Sequence, residues 1–413
     1  MAGETEVAII GGGAAGIAAA RRLAEARVDC LIVEARPRLG GRAWTTGTGA
    51  SALDLGCGWL HSADRNPWHA VALKQGRTID TTPPPWRRPS TPIGFPRAEQ
   101  AAFFGALADF YQRLDALPED EADVSAATFL APESRWSALI TAVGSYVTGA
   151  ELDRVSARDF QRYDDSGINW RVLEGYGTVI SAHGEGVPAA LGLPVRRIDH
   201  SARRLRIDTA SGAISADAAI ISLPSALLAE ETLSFVPPLP EKITAAAGLP
   251  LGLADKLFLS LSGADEFDRE SRLFGRTDRR ATGVYHFRPF GRPRIEAYFG
   301  GSLAAELEGA GEAAFADFAV AELVGLLGGD FARRLKPLAL HRWGHDPFAR
   351  GSYSYALPGR ADCRAALAAP VDDRLFFAGE ACSRHDYSTA HGAYLTGVAA
   401  AEQAIAARRR QRR

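Results

Sequence analysis

Hydrophobic and polar positions near the N-terminus follow an order that predicts a strand, a helix and a second strand. Residues 6–10 form a short β-branched run, and residues 17–26 form an alanine-rich stretch that is typical of a helix. A second apolar run covers residues 29–33 and ends at Glu34. The turn Gly11-Gly12-Gly13-Ala14-Ala15-Gly16 separates the first strand from the helix. This succession is the one required of a dinucleotide-binding unit.

Each part of that unit has a physical task, and the residue types here suit those tasks. Gly11 permits the tight turn, Gly13 lets a pyrophosphate approach the backbone, and Gly16 lets the helix pack close to the strand. The helix N-terminus offers its unpaired N–H groups to the phosphates. Glu34 stands 18 residues after Gly16, the position of a carboxylate that accepts from ribose hydroxyls. That carboxylate would repel the extra phosphate of NADP.

The rest of the chain alternates between helical and strand patterns. Residues 81–96 contain six prolines, which exclude a regular helix or sheet and favour a connection. Apolar residues from Phe103 to Leu117 recur at helical intervals. The first and last parts of the chain are expected to form one α/β layer, with other material inserted between them. We predict further helices at 134–148, 312–327 and 392–407, and strands at 195–198, 204–209, 218–223, 257–261, 295–299 and 375–377.

The composition is that of a globular protein with room for two domains: 413 residues, 46% hydrophobic, 23% charged and a net charge of −2. Near-neutrality argues against nucleic-acid binding, and no apolar run approaches the roughly 20 residues of a membrane span. Four cysteines without a CxxC pair indicate neither disulfides nor a zinc site, so we expect no metal and a cytoplasmic location. The basic run at 408–413 is interpreted as a solvated tail after a final helix.

Lysine is rare in this chain. Of 47 basic residues, only Lys74, Lys242, Lys256 and Lys336 are lysines. Because arginine serves wherever a generic cation is sufficient, each lysine calls for an explanation at its own position.

A series of motifs, in this order, resembles the flavin-containing amine oxidase family over nearly the whole chain, with the closest likeness to polyamine oxidases. The motifs are LGGR at 39–42, DLGCGWLH at 54–61 with Asn66-Pro67, NWRV at 169–172, EGYG at 174–177, IISLP at 220–224, FVPPLP at 235–240, GLADK at 252–256, Trp343, GSYSY at 351–355 and FFAGE at 376–380.

The resemblance implies a two-domain flavoprotein of the α/β class with an α+β substrate domain. A Rossmann-type FAD-binding domain would comprise residues 1–80, 169–248 and 343–413. The inserted substrate domain, a sheet plus helices, would comprise residues 81–168 and 249–342. The implied reaction is FAD-dependent oxidation of a polyamine or another primary or secondary amine. Hydride passes from the carbon beside nitrogen to flavin N5, the imine hydrolyses, and oxygen is reduced to hydrogen peroxide.

Four residues match positions that carry chemistry in the family. Lys256 would hold a water against flavin N5, a task for a compact ammonium rather than a guanidinium. Tyr353 resembles one wall of the aromatic cage around the substrate amine; the opposite wall would fall at Thr389, which has no π face. His61 would accept a hydrogen bond from the substrate amine or tune the protonation of that amine; alternatively, it would satisfy a backbone carbonyl. Trp343 would be a flavin-face or cage residue, or simply core.

The resemblance also implies the residues that bind FAD. Arg42 can meet a phosphate through its fork, and Glu380 would accept from cofactor hydroxyls. Ser352 stands where monoamine oxidases have the cysteine that bonds to flavin, so FAD should be non-covalent. The implied set is Gly11, Gly13, Ala14, Ala15, Gly16, Glu34, Ala35, Arg36, Gly41, Arg42, Gly58, Trp59, Val195, Gly379, Glu380 and Thr389.

Three alternatives stay open from the sequence. One is an L-amino-acid oxidase, which needs an arginine to bind the substrate carboxylate. A second is another flavin-dependent dehydrogenase or desaturase, and a third is a flavin-bound module without catalysis. The expected partners are a small amine and molecular oxygen, with no nucleic acid or membrane. The sequence leaves the oligomeric state open between monomer and homodimer.

Overall fold

Two large β-sheets organise the part of the chain that the structure, a computed structural model, describes: residues 3–411. The strands, in chain order, are β1 (Gly3–Ile10), β2 (Cys30–Val33), β3 (Thr45–Thr46), β4 (Leu53–Asp54), β5 (Ile79–Asp80), β6 (Arg171–Val172), β7 (Ala189–Ala190), β8 (Val195–Asp199), β9 (Leu205–Thr209), β10 (Gly212–Ile221), β11 (Ser234–Val236), β12 (Ala254–Leu261), β13 (Ser271–Phe274), β14 (Val284–Phe287), β15 (Arg294–Gly300), β16 (Leu335–Leu340) and β17 (Leu375–Phe377).

Helices surround both sheets. They are α1 (Ala14–Glu25), α2 (Pro67–Lys74), α3 (Arg97–Asp115), α4 (Ser137–Thr148), α5 (Ala157–Arg162), α6 (Tyr176–His183), α7 (Ser225–Ala229), α8 (Pro240–Ala247), α9 (Gly301–Ala310), α10 (Glu312–Leu327), α11 (Cys363–Ala368) and α12 (Ala390–Gln411). Short 3-10 turns lie at Gly49–Ser51, Pro85–Arg87, Ala126–Phe129, Ala264–Glu266, Pro289–Gly291, Gly329–Arg334 and Glu380–Cys382.

The first sheet has the order β11-β8-β9-β10-β1-β2-β7, and β17 also pairs with β10. The pairs of β1 with β10 and β2, of β2 with β7, and of β10 with β17 are parallel. Strands from both ends and the middle of the chain therefore share one layer. The carboxyl halves of its central strands β1 and β10 are apolar and buried, as expected where helices cover both faces of a parallel sheet. The predicted α/β class with a Rossmann-type unit is confirmed.

The carboxyl ends of the parallel strands meet at one edge of this sheet. Gly11 follows β1, Glu34 follows β2, Ser222 follows β10, and Gly379 lies just after β17. In open parallel sheets, ligands bind outside the carboxyl ends of the strands. The topology thus gathers residues from 11 to 379 around one crevice.

The second sheet is antiparallel, in the order β13-β14-β15-β12-β16. Its side chains alternate between two environments, as the period of a strand requires. One face packs into a hydrophobic core with α9 and α10, through residues such as Leu257, Ala297 and Tyr285. The opposite face carries Lys256 and Tyr298 at paired positions. This second face turns toward the site described below.

Several helix and strand limits differ from the sequence-based expectations. Helix α1 begins at Ala14, inside the glycine-rich turn, because Gly13 has extended backbone and serves as its N-cap. Helix α4 begins at Ser137 and ends at Thr148, where it is capped by Gly149, whose φ of 78° favours glycine. Strand β10 begins at Gly212, earlier than the apolar run indicated. The proline-rich segment contains a single 3-10 turn, Pro85–Arg87.

The basic C-terminal run is not the freely solvated tail that we expected. Helix α12 continues to Gln411, and the guanidinium of Arg408 is largely buried against Glu6 and Asp217. Arg410 pairs with Asp373. The run therefore fastens the last helix to the first sheet at these positions, while residues 412–413 lie outside the described residues. Within residues 3–411, no helix has both the length and the apolarity needed to cross a bilayer.

Candidate active site

A cavity of about 1060 Å³ extends from the carboxyl edge of the first sheet to the inner face of the second. It brings together every residue that the sequence assigned to the site except Gly16. At Gly16, an added Cβ would lie 2.0 Å from the Gly11 carbonyl oxygen, so this glycine serves helix–strand packing. The residues that line the cavity include Lys256, Tyr353, His61, Trp343, Gly11, Gly13, Ala14, Ala15, Glu34, Ala35, Arg36, Gly41, Arg42, Gly58, Trp59, Val195, Gly379, Glu380 and Thr389.

The crevice end of the cavity has the features of a dinucleotide site. No side chain caps the N-terminus of helix α1. The N–H of Ile17 donates to the carbonyl of Gly13, which is the first backbone hydrogen bond of the helix. The N–H groups of its first turn are thus left for a ligand, with the positive end of the helix dipole beside them. At Gly13, an added Cβ would meet nothing nearer than Gly41 Cα at 4.0 Å. The space beside this glycine is therefore cavity, and a side chain would partly fill it.

Glu34 is held in place at the end of β2. Its two carboxylate oxygens accept from Gly12 N at 2.6 Å and from Arg36 N at 2.7 Å. Each oxygen keeps a further lone pair for ribose hydroxyls. The guanidinium of Arg36 forms a bidentate pair with Asp346 at 2.8 and 2.7 Å, so it reaches the cavity already neutralised.

Arg42 and Glu380 bind each other in the middle of the cavity. Arg42 Nη1 donates to Glu380 Oε1 at 2.9 Å and to the carbonyl of Ser352 at 2.8 Å. Glu380 also accepts from Ser354 and from Ser388 N. Burial raises the pKa of Glu380, but Arg42 and these donors outweigh it and hold the pKa below its usual range. The contacts of Arg42 with phosphate and of Glu380 with cofactor hydroxyls stay predictions.

Ser352, the residue at which we expect no covalent bond to flavin, uses its hydroxyl to bind the protein backbone. Ser352 Oγ accepts from Ala254 N at 2.9 Å and donates to Ala254 O at 3.1 Å. A serine in this arrangement cannot form a thioether and instead joins its loop to the start of β12.

Lys256 lies on β12, with its side chain 8% exposed and its Nζ 3.3 Å from Glu296 Oε1. An added Cβ at Gly58 would lie 3.3 Å from the same Nζ, so the absence of a side chain there leaves room for the ammonium. Burial raises the pKa of Glu296, but Lys256 and His286 outweigh it and lower the pKa. The lysine and Glu296 therefore form a buried ion pair beside the cavity.

His61 is placed so that one ring nitrogen is free to act as an acceptor. Its Nδ1 lies 2.6 Å from Asn169 Oδ1, and Asn169 Nδ2 donates to Gly167 O. Because the amide oxygen accepts, Nδ1 carries the hydrogen and Nε2 keeps its lone pair. Burial lowers the pKa of His61, which favours this neutral form.

The remaining predicted residues line the cavity with their polar atoms already satisfied. Tyr353 donates its hydroxyl to Tyr146 O at 2.5 Å, and burial raises its pKa. Trp343 donates Nε1–H to Leu55 O at 3.1 Å. Thr389 accepts from Gly392 N at 2.9 Å and thereby caps helix α12. Each offers the cavity mainly an apolar surface, and their roles toward flavin or substrate stay predictions.

Sequence reasoning missed a row of polar side chains on the inner face of the second sheet. Tyr298, His286 and Arg272 line the cavity on β15, β14 and β13. Glu296 lies in the same face beside Lys256. The available signal was a charged or polar residue at alternate positions of otherwise apolar strands, which marks the face that is not core.

A buried polar network continues from this row to the small sheet formed by β5 and β6. His286 Nε2 contacts Glu270 Oε2 at 2.6 Å, and Arg171 Nη2 reaches Glu270 at 2.7 Å and Asp80 at 3.1 Å. Burial raises the pKa of Glu270, but His286 and Arg171 outweigh it and lower the pKa to about 2. Beside the network, a second cavity of about 20 Å³ is large enough for roughly one water molecule.

Comparison with known proteins agrees with this geometry. A family profile described as flavin containing amine oxidoreductase matches residues 97–405, and one for an NAD(P)-binding Rossmann-like domain matches residues 9–75. Polyamine oxidase 2 of Arabidopsis thaliana is 29% identical over 437 aligned positions, covering 96% of this chain and 87% of that protein. Lysine-specific histone demethylase 1 homolog 1 of Oryza sativa subsp. japonica is 31% identical, covering 98% of this chain but 53% of that protein.

Solved structures have the same fold. A putrescine oxidase double mutant, made in a redesign of cofactor binding, superposes with a TM-score of 0.78. The superposition covers 98% of this chain and 100% of that one at 19% sequence identity.

Proposed function

The chain belongs to the family of flavin-containing amine oxidoreductases, and from this premise we propose that it is an oxidase acting at the carbon next to the nitrogen of a primary or secondary amine. Its dependence on non-covalent FAD and its amine-oxidising activity follow from that membership. Three further points belong to the proposal: which carbon loses the hydride, which molecule accepts the electrons, and what each side chain does.

One observation carries the proposal: a single cavity connects the dinucleotide end, at Glu34, with Lys256 and His61. FAD is a long molecule with a nucleotide at one end and a redox-active ring at the other. In a cavity of this shape, a nucleotide at Glu34 directs the ring toward the second sheet. The groups suited to handle an amine lie at that far end.

The residues present fit FAD. The first turn of α1 would bind the pyrophosphate, Glu34 the adenosine ribose, and the open space beside Gly13 the phosphate backbone. Gly58 and Lys256 would lie toward the ring. Bound FAD supplies the acceptor for the hydride from the substrate carbon and the donor of electrons to molecular oxygen, which leaves as hydrogen peroxide.

His61 and Tyr353 would orient the amine. The free Nε2 of His61 accepts a hydrogen bond from the substrate N–H, which holds the nitrogen and its neighbouring carbon in one orientation. The ring of Tyr353 lies along the cavity wall with its hydroxyl turned to Tyr146, so its face is free to contact the substrate. Lys256 would hold a water through Nζ. The imine product then hydrolyses to a carbonyl compound and an amine.

The substrate nitrogen must be neutral before its carbon can lose a hydride. Most alkylamines are protonated at neutral pH, since their pKa lies near that of lysine. We expect the rate of flavin reduction to rise between pH 6 and pH 10, and a flat profile across that range would contradict the proposal.

The test uses the purified protein with FAD bound. Primary amines, secondary amines, polyamines and L-amino acids are added without oxygen, and loss of the oxidised-flavin absorbance is followed. Hydrogen peroxide release is then measured in air. We expect bleaching by at least one amine class and none by its quaternary ammonium analogue, which has no neutral form. Bleaching by amino acids alone would indicate an amino-acid oxidase, and no bleaching at all would indicate a module without catalysis.

A further inference from the structure

The inner face of the second sheet forms one wall of the cavity and spans four adjacent strands. Lys256 lies on the strand at one side of this set, β12, and Arg272 on the strand at the other side, β13. The registers of β15 and β14 place Tyr298 and His286 between them. With about 4.8 Å between neighbouring strands, β12 and β13 are roughly 14 Å apart, and Arg272 is also offset from Lys256 by two positions along the strands. Arg272 therefore marks the end of the wall remote from the lysine.

Arg272 is a cation without a counter-ion. Its Nε donates to Ser90 Oγ at 3.0 Å, and its guanidinium lies 4.7 Å from the ring of Phe274 and 5.9 Å from that of Phe104. No carboxylate within residues 3–411 forms an ion pair with it, and its buried Nη2 has no hydrogen-bond partner there. Burial alone lowers the pKa of Arg272 to about 10, so the group is still charged at neutral pH.

The other arginines that line the cavity differ from Arg272. Arg36 is paired with Asp346, and Arg42 with Glu380. Arg350 has a carboxylate partner in Glu230, and Arg87 is exposed to solvent at the mouth. Buried charges are normally paired, since desolvation of a lone charge is costly. A lone guanidinium facing a cavity is thus best explained by an anionic partner that arrives with the ligand.

The end of the cavity at which Arg272 lies is poorly suited to a second ammonium group of the substrate. Glu34 and Glu380 belong to the cofactor half and have protein donors, while Asp165 lies exposed at the mouth. Aromatic rings could bind an ammonium through cation–π contacts. Here, however, Phe274 and Phe104 already face the guanidinium of Arg272. A distal cation would meet like charge and no carboxylate.

Between the two ends, the walls are apolar and aromatic. Phe103, Leu107 and Tyr111 of α3 and Val143 of α4 line this stretch. Such walls favour a hydrocarbon or aromatic body rather than one interrupted by charged nitrogens.

We propose that Arg272 is a subsite for a carboxylate at the far end of the substrate, so that the preferred substrate is an amine joined through an apolar body to a distal carboxylate, and polyamines are disfavoured. This proposal rests on the amine oxidation proposed above and names its substrate class. The carboxylate would form a charge-assisted pair with the free side of the guanidinium.

The experiment compares three series of unbranched compounds with the same carbon chains, of roughly 6 to 12 carbons to cover the roughly 14 Å wall. One series has a methyl group opposite the amine, one a carboxylate and one a second amine. The value of kcat/KM is measured for each with the FAD-bound protein. We expect an optimum length at which the carboxylate compound exceeds the alkylamine by about tenfold or more, and the diamine is the poorest.

Substitutions distinguish the loss of a carboxylate subsite from a general loss of activity or folding. Arg272→Met keeps the length and apolar contacts of the stem, and we expect it to bring the ratio of kcat/KM for the carboxylate compound to kcat/KM for the alkylamine down from about tenfold to about one. Arg272→Glu should invert the order in favour of the diamine. Arg276→Met is the matched control, because Arg276 is exposed and paired with Asp278 outside the cavity. It should change none of the preferences.

The possible outcomes distinguish a failure of the carboxylate subsite from a failure of the proposed amine oxidation. In the unmodified protein, equal values of kcat/KM for the carboxylate and methyl series at every length would overturn the proposed subsite. A preference for diamines would overturn it as well. If no series bleaches the flavin, amine oxidation itself fails. The subsite is then judged by alkanoates, which should perturb the flavin spectrum saturably and bind less tightly to Arg272→Met. Equal binding to both proteins would refute it.

Discussion

A single side chain, Lys256, best illustrates how an unusual residue choice can have a physical reason. Its Nζ occupies the space left by Gly58 and is paired with Glu296, all within a buried wall. A guanidinium is wider and planar, so it would not fit the same space with the same donor directions. The scarcity of lysine in this chain made the position conspicuous, and the packing explains why arginine is absent there.

We predict that Lys256→Met slows anaerobic flavin reduction by an amine about 10²-fold, because the water that Nζ would hold loses its donor and the reacting groups lose their alignment. Stopped-flow absorbance measures the rate, and the spectrum of the oxidised protein reports retention of FAD. Lys336→Met is the matched control, because Lys336 is exposed on β16. Similar losses in both variants would contradict a role for Lys256.

His61 makes stability depend on pH in a defined direction. Burial lowers its pKa, so the folded protein resists a proton that the unfolded chain accepts near the ordinary value of about 6.5. The unfolded state then binds more protons, and stability falls as pH drops through about 6.5 toward the folded-state pKa. We predict that His61→Gln reduces the loss in free energy of unfolding between pH 8 and pH 5. Denaturant titrations at the two pH values measure it, and an unchanged difference would exclude this contribution.

Helix α12 shows how one residue can serve both an element and the site. Thr389 was expected at the second cage wall and among the residues that bind FAD; the structure also makes it the N-cap of α12, since its Oγ1 accepts from Gly392 N and donates to Asp386 O at 2.6 Å. The apolar side of the same residue lines the cavity. The start of the last helix is therefore fixed at the cavity wall.

We predict that Thr389→Ala lowers the free energy of unfolding by about 1 kcal/mol, the typical value of a lost N-cap. Thr389→Ser keeps the hydroxyl and should retain most of that stability. Denaturant titration of both variants checks the prediction. A loss of similar size in the serine variant would mean that the methyl group, rather than the cap, matters.

At the scale of the whole molecule, a buried ion pair connects segments that are far apart in the sequence. Arg364 of α11 and Asp159 of α5 form a bidentate pair at 2.6 and 2.7 Å, and both side chains are 1% exposed. Arg162 and Asp362 join nearly the same segments at 2.7 Å, but Asp362 is 85% exposed. The two pairs join the same region but differ in burial and in geometry, since the Arg364 pair is bidentate and the Arg162 pair has a single hydrogen bond.

We predict that Arg364→Met lowers the free energy of unfolding by about 3–5 kcal/mol, because it leaves the Asp159 carboxylate buried without its partner. Arg162→Met should cost at most about 1 kcal/mol, as expected of an exposed pair. Unfolding in guanidinium chloride measures both. Equal effects of the two substitutions would show that burial does not govern the value of these pairs.

The sequence by itself determined the cofactor end of the protein. The strand, glycine turn, helix and second strand are consecutive, so their order and spacing impose the geometry locally. Gly13 lies beside open cavity, Gly16 packs against the strand, and Glu34 ends β2. Backbone sterics and helix-end hydrogen bonding act over a few residues, which is why this part could be predicted from a single sequence.

Only the tertiary structure decided the substrate end. Lys256, Arg272 and His286 are brought onto one face by the antiparallel registers of four strands, and no local spacing indicates which strands become neighbours. The Arg42–Glu380 pair closes a separation of 338 residues. Burial and charge pairing are properties of such long-range contacts. The sequence therefore identified a flavin site, whereas the fold showed that the opposite end of its cavity is cationic.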